Sequence, residues 1–262
     1  MADTPEPAPG AKVLLQGLEL LRLLAQCPGP VSATALAERT GQHPSTVSRL
    51  LSGLVRAGYV RKPDYHSFAP DLGLATLFGR VRGQFPLTSV PRAALRAQAA
   101  AMPGMRLSLA TLHEHQLVYW LAVEAGQEEW ELVVSGYPLH LSSIALRILA
   151  DCPLRAAIPL LNASKRWNGW ERPTARVPAD PAGVMTAARD LLAAGGGDCL
   201  VLESWQGVGR ISAALPLRSP DERPLVLAVS GPTPASFDRH LAGALVARMK
   251  DARAGVEAAI FA

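Results

Sequence analysis

The stretch Ala35-Leu36-Ala37-Glu38-Arg39-Thr40-Gly41-Gln42-His43-Pro44-Ser45-Thr46-Val47-Ser48-Arg49-Leu50-Leu51 decides how the first third of the chain is read. Gly41 lies between two helical patterns, where a left-handed residue ends one helix and allows a sharp turn. Ser32 precedes the first pattern, residues 33–40, as an N-cap. Pro44 suits the first turn of the second, which runs to about residue 57. Val47, Leu50, Leu51 and Leu54 fall at i, i+3, i+4 and i+7 and share an inward face, and Ala37 is small where two helices cross closely. The outer face holds Ser45, Thr46, Ser48, Arg49 and Ser52. Short polar side chains let a helix approach base edges, and Arg49 can reach a guanine edge or a phosphate. The helix N-terminus is expected to add backbone N–H groups for a phosphate. Gln42 and His43 lead into that helix and join the candidate DNA-binding set.

Working outward, Gly58 closes the second helix and Tyr59-Val60-Arg61-Lys62 reads as a strand. Pro63-Asp64 is a turn, and His66-Ser67-Phe68-Ala69 a returning strand. This hairpin makes a wing, and Arg61 and Lys62 suit the sugar-phosphate backbone or the minor groove. Upstream, residues 13–26 form a helix with two apolar stripes. One holds Leu14, Leu18, Leu21 and Ala25, the other Leu20, Leu23 and Cys27. Such a helix meets two partners, its own core and a second subunit, with Leu20 and Leu23 as the candidate subunit contact. Residues 12–82 carry nine Lys and Arg against four Asp and Glu, a net of +5 that exceeds the whole chain's formal +4. A polyanion should meet that part, the alternative being a merely solubilising surface.

With 262 residues, 49% hydrophobic and 18% charged, the chain suits two domains with a sizeable core, and wholesale disorder is excluded. The opening residues lack the basic start and apolar stretch of a secretion signal. No apolar run nears the ~18 residues of a membrane span. Cys27, Cys152 and Cys199 are odd in number and far apart, which fits a reducing, cytoplasmic setting. Residues 1–11 read as a mobile tail, 12–71 as the winged domain, 72–86 as a linker helix and 87–262 as a second domain. In the latter, helices are expected at 87–101, 142–150, 153–163 and 182–194, with a long last helix from near Ser236. A hairpin is expected across His113-Glu114-His115, strands at 198–203, 210–217 and 224–230, and a loop over 167–181. Strands and helices interleave without strict alternation, so the class is α+β.

The chain resembles the isocitrate lyase regulator (IclR) type of bacterial transcription factors. The resemblance rests on the leucine-rich first helix, residues 35–41, Ser45-Thr46-Val47-Ser48-Arg49-Leu50-Leu51, Gly58-Tyr59-Val60 and Asp71-Leu72-Gly73. It continues at Gly136-Tyr137-Pro138-Leu139-His140, Ile148-Leu149-Ala150, Glu203, residues 209–216 and Leu227-Ala228-Val229-Ser230-Gly231-Pro232. It implies a winged helix-turn-helix, a linker helix and a C-terminal GAF-like effector-binding domain. It also implies dimers or tetramers on palindromic operators and a small organic metabolite as effector. Carried over, the pocket residues are Ser142, Ala145, Glu203, Ser212 and Ser230; Trp120 is added because Tyr119 and Trp120 point to opposite faces of one strand and one of them is a candidate for the pocket, the alternative being core packing. Two positions depart from the family pattern: Ala145-Leu146 replaces a Gly-Lys pair, and Ser212 stands where Cys is common.

Sharper chemistries are set aside. His113 and His115 read as turn histidines rather than metal ligands, and Cys199 as a small buried hydrophobe rather than a redox sensor. Gly195-Gly196-Gly197 reads as a cap and turn, since no phosphate-loop Lys follows. Lys165-Arg166-Trp167 reads as solvated loop. No catalytic constellation emerges, so the expectation is a non-enzymatic transcriptional repressor without a cofactor. The alternatives are a ligand-independent DNA-binding regulator with a vestigial pocket, and a GAF-like sensor or enzyme with a non-functional winged domain.

Overall fold

The computed structural model describes residues 9–233 and 239–262. The chain divides into two compact units, Met1–Gln84 and Phe85–Ala262. The first unit contains α1 (Pro9–Gln26), β1 (Val31–Ser32), α2 (Ala33–Thr40), α3 (Pro44–Arg56), β2 (Val60–Arg61), β3 (Ser67–Pro70) and α4 (Leu72–Val81). The expected tail therefore needs correction at residues 9–11, which are already helical.

The first unit's core gathers Leu20, Leu23, Leu24, Leu36, Val47, Leu51 and Phe68 from α1, α2, α3 and β3. Ser32 caps α2 by accepting from the Ala35 amide at 3.2 Å. Gly41, at φ 66°, ends it in the left-handed region. Residues with a side chain resist that region. Three short antiparallel strands in the order β1-β3-β2 brace the helices. Gly73 at the start of α4 packs on the wing root: a Cβ there would come within 2.5 Å of the Gly58 carbonyl oxygen. That same oxygen accepts from the Gly73 amide at 2.9 Å.

The two stripes of α1 exchange their expected roles. Leu20 and Leu23 are core residues, whereas Leu14 and Leu18 are exposed, at 63% and 48%. Both stripes are apolar enough to be buried, so periodicity alone does not choose between them. Packing against α3 and β3 chooses.

In the second unit, α5 (Arg92–Ala100) leads to β4 (Arg106–His113), β5 (Gln116–Val123) and β6 (Trp130–Ser135). Then come α6 (Ser143–Ala150), α7 (Leu154–Asn168), α8 (Pro181–Ala194), β7 (Leu200–Glu203), β8 (Arg210–Leu217), β9 (Leu225–Pro232) and α9 (Arg239–Ile260). The six strands form one antiparallel sheet in the order β6-β5-β4-β9-β8-β7. Leu149, Leu161 and Met185 of α6, α7 and α8 pack on one face. Leu95 of α5 and Met249 and Val256 of α9 pack on the other.

The strand β6 has no counterpart in the sequence reading. Leu132 within it has φ 48°, and the pairing skips that residue. Such a skip interrupts the alternation that reveals a strand. The expected loop over 167–181 is corrected at its start: α7 runs to Asn168, so Lys165-Arg166-Trp167 is helical. The expected start of the last helix near Ser236 lies outside the described residues. Among the described residues, no helix is long and apolar enough to cross a membrane.

Leu20→Ala should cost the first unit about 2–5 kcal/mol in thermal or urea unfolding, as a large-to-small change in a filled core. Leu18→Ala, at a half-exposed position, should cost less than about 1 kcal/mol. Equal losses would contradict the assignment of the two stripes.

Candidate nucleic-acid interface and ligand cavity

The helix α3 turns Val47 and Leu51 into the core, which leaves Ser45, Arg49 and Ser52 exposed on the opposite side. Thr46, Ser48 and Gln42 are half-buried beside them. Several of these groups have local partners. The His43 Nδ1 accepts from the Ser45 amide at 3.3 Å, making His43 the N-cap, and lies 2.8 Å from the Ser45 hydroxyl. The Ser52 hydroxyl donates to the Ser48 carbonyl at 2.8 Å. Gln42 Oε1 is buried without a hydrogen-bond partner.

The N-terminus of α3, the expected phosphate seat, carries its own local cap in this structure. Pro44 has no N–H, His43 takes the Ser45 amide, and the Thr46 and Val47 amides donate to the His43 carbonyl at 3.0 and 3.2 Å. The first-turn amides thus have intramolecular partners. Arg49 is the long cation exposed on this face.

The wing joins β2 to β3 through a turn held by Asp64. Its Oδ1 accepts from the His66 and Ser67 amides at 2.8 and 2.9 Å, and its Oδ2 accepts from the Ser67 hydroxyl. The Ser67 hydroxyl, and after it the His66 amide, hold the Asp64 carboxyl below the usual carboxylate range. Arg61 and Lys62 are exposed on the outgoing side. The Lys62 ammonium lies 5.4 Å from the Tyr65 ring centre and 5.2 Å from that of Phe68.

The second unit holds a cavity of about 430 Å³ between the sheet and the start of α6. Arg106 and Ser108 of β4, Tyr119 of β5, Trp130 of β6 and Ser230 of β9 form its sheet side; Ser142 and Ser143 form its helix side. Ser142 is the N-cap of α6 and accepts from the Ala145 amide at 3.3 Å. Gln206, which also lines the cavity, donates to the Leu141 carbonyl at 3.1 Å and ties the segment after β7 to the lead-in of α6. Arg106 reaches Glu124 Oε2 at 3.1 Å, lies 4.3 Å from the Trp130 ring centre and leaves its buried Nη1 without a partner. Burial pushes the Tyr119 phenol up to about 12, so it stays a neutral hydrogen-bond donor.

Of the expected pocket residues, Ser142 and Ser230 line this cavity. Trp120, Ala145, Glu203 and Ser212 do not. A bulge against Leu109 and Ala110 brings Tyr119 to the cavity side. It leaves Trp120 in the opposite core, 5.4 Å from the Phe85 ring. Ala145 packs into the core beneath α6. Glu203 turns toward Arg176 at 3.4 Å. Ser212 pairs with Ser230 across β8 and β9 but is not part of the lining, and its buried hydroxyl has no partner.

The sequence reading missed the charged groups of the wall: Arg106, Glu124 and Arg210. Alternation from Ser108 would have found Arg106 on the same face. Trp130 could not be found without β6.

Residues 13–64 match the IclR helix-turn-helix domain model. No curated protein matches the chain. Among solved structures, an IclR family transcriptional regulator from Brucella abortus is similar at 20% identity and TM-score 0.77, over 99% of this chain and 96% of that one. A regulator of the same family described from a Silicibacter species is similar at 19% identity and TM-score 0.69, over 94% of each chain. An IclR homologue from Microbacterium hydrocarbonoxydans, complexed with 4-hydroxybenzoate, is similar at 16% identity and TM-score 0.61, over 94% of this chain and 98% of that one.

The lowered Asp64 carboxyl gives a test of the wing geometry. Its contribution is fully present above the ordinary carboxylate pKa and is lost as pH falls through the lowered folded value. The His66 and Ser67 amide resonances should therefore hold steady through the ordinary carboxylate range and shift only in stronger acid. Amide shifts that titrate at the unperturbed Asp value would contradict the clamp.

Proposed function

We propose that this chain, of the IclR type by its helix-turn-helix domain and by its fold, is a sequence-specific DNA-binding transcriptional repressor whose operator binding responds to a small organic metabolite. The observation that carries the DNA reading is the face of α3 with Arg49, Ser45 and Ser52 open to solvent beside an exposed basic wing. A rigid apolar core presents that face, and one long cation on it can grip a guanine edge. The exposed Val13, Leu14 and Leu18 of α1, with Leu72, Leu77 and Phe78 of α4, favour a second copy of the chain as partner. A dimer or pair of dimers would then place recognition helices about one DNA turn apart on a palindrome.

The cavity favours an anion that carries an aromatic ring. Arg106 and Arg210 supply positive charge against the single Glu124, and Tyr119, Trp130 and Tyr137 supply ring faces. The ligand of the Microbacterium neighbour, 4-hydroxybenzoate, has that chemistry. This cation enters from β4, although the lysine position after the Pro-Leu-His segment is Leu146. A ligand that draws on Arg106 and Trp130 would also move the two carboxylates flanking Trp130. Glu129 accepts from Arg92 at 2.7 Å, and Glu131 pairs with the same guanidinium. Arg92 donates to the Thr88 carbonyl at 2.8 Å, and the Thr88 hydroxyl donates to the Phe85 carbonyl at 2.8 Å. Phe85 is the first residue of the second unit, so this chain of bonds runs from the cavity wall to the end of the linker. The ligand must bind two arrangements of that wall with different affinity, or it shifts nothing.

Arg49→Ala should weaken binding to a selected duplex by about 1–3 kcal/mol and affect random DNA less, as measured by fluorescence anisotropy. An equal loss on both would reassign Arg49 to a phosphate. Calorimetry with a panel of aromatic carboxylates tests the effector; a panel without a hit would favour a ligand-independent regulator. For any compound that binds, Arg92→Ala should leave the heat of binding in place and abolish the compound's effect on duplex affinity. An intact effect in that variant would remove Arg92 from the route.

A further inference from the structure

We propose that Tyr65, at the tip of the wing, reads the minor groove beside the half-site and discriminates A·T from G·C base pairs there. The proposal rests on the DNA-binding reading above and assigns a specificity-determining residue that the sequence reading passed over.

Tyr65 is 84% exposed, the most exposed Tyr, Trp or Phe among the described residues. Its ring buries almost nothing of its own domain, so its large apolar area is available to a partner. The ring stands on a fixed turn, because Asp64 engages both the His66 and Ser67 amides. Around it lie the Lys62 ammonium, 5.4 Å from its ring centre, and the His66 ring, edge-on at 5.0 Å. The only carboxylate of the turn, Asp64, is turned to backbone amides and the Ser67 hydroxyl. The tip thus offers a phenol donor, a cation and ring faces, which complement the acceptors, phosphates and sugar edges of a nucleic-acid groove. Only residues 57–59 separate α3 from β2, so the wing follows directly on the helix proposed above to meet base edges.

The minor groove supplies the discrimination. Both orientations of an A·T pair present only acceptors on the groove floor, whereas guanine adds an amino group that projects from it. A phenol hydroxyl donates to the acceptors and is blocked by the amino group. A·T tracts also narrow the groove and deepen its negative potential, which suits the ammonium of Lys62.

The test uses the full chain and a duplex that the wild type enriches from a randomised pool. Flanking A·T pairs are replaced by G·C, and separately by inosine·C, which lacks the minor-groove amino group. The wild type should lose roughly fivefold to a hundredfold in affinity with G·C and recover with inosine·C. Tyr65→Ala should bind all three flanks alike, and Tyr65→Phe should lose part of the discrimination by losing the hydroxyl. Unchanged melting curves establish that each variant is folded, as expected for so exposed a position. Two outcomes overturn the proposal: a Tyr65→Ala variant that keeps the flank preference, or a wild type that has none. Arg49→Ala separates the levels. If it abolishes preference for the selected duplex while Tyr65→Ala changes nothing, DNA recognition stands and the role of Tyr65 falls. A wild type that enriches no duplex overturns both.

Discussion

The contact of Leu20, Leu24, Leu36, Val47 and Leu51 in one apolar cluster governs the first unit. A helix-turn-helix of two short helices cannot bury enough area alone. The third member, α1, closes the cluster, and closure sets the rotation of α3 about its own axis. Because Val47 and Leu51 must point inward, Arg49 must point outward; no further interaction is needed to expose it. Gly41 and Gly73 permit this arrangement, one by its positive φ and the other by letting α4 start against the wing root.

The second unit uses a different division of labour. Its sheet separates two cores, one under α6, α7 and α8 and one under α5 and α9. The cavity opens where the first core gives way to polar groups: the capped start of α6, the Arg106–Glu124 pair and the serines of β4 and β9. The other face carries the ion pairs of Arg92. Successive residues of one strand, Glu129 beside it and Trp130 and Glu131 within it, therefore address both sides of the sheet. A strand alternates its side chains by geometry, which makes β6 a natural bridge between the cavity and the segment after the linker.

Legibility followed the length and regularity of the pattern. The turn at Gly41, the proline at the start of α3 and the wing hairpin each have local chemical causes, and each was readable. The roles of Leu14 and Leu20 were not, because two equally apolar stripes compete and only the partner helix decides. Tyr119 and Trp120 were read as facing opposite ways, which they do, but a bulge determined which one met the cavity. Glu203 and Ser212 were carried over by resemblance, and both lie outside the cavity lining. Arg106 stands two residues before Ser108 on an alternating strand, so its place on the cavity wall follows from the same local periodicity.

The order of residues alone was enough for the helix-turn-helix, its wing, the α+β class and the polar face of the recognition helix, because caps, turns and periodicity act over a few neighbouring residues. Packing across the fold was needed to choose the core stripe of α1 and to bring arginines from two different strands, β4 and β8, into one cavity wall. Those outcomes depend on residues far apart in the chain competing for the same space. No local pattern records which of them prevails.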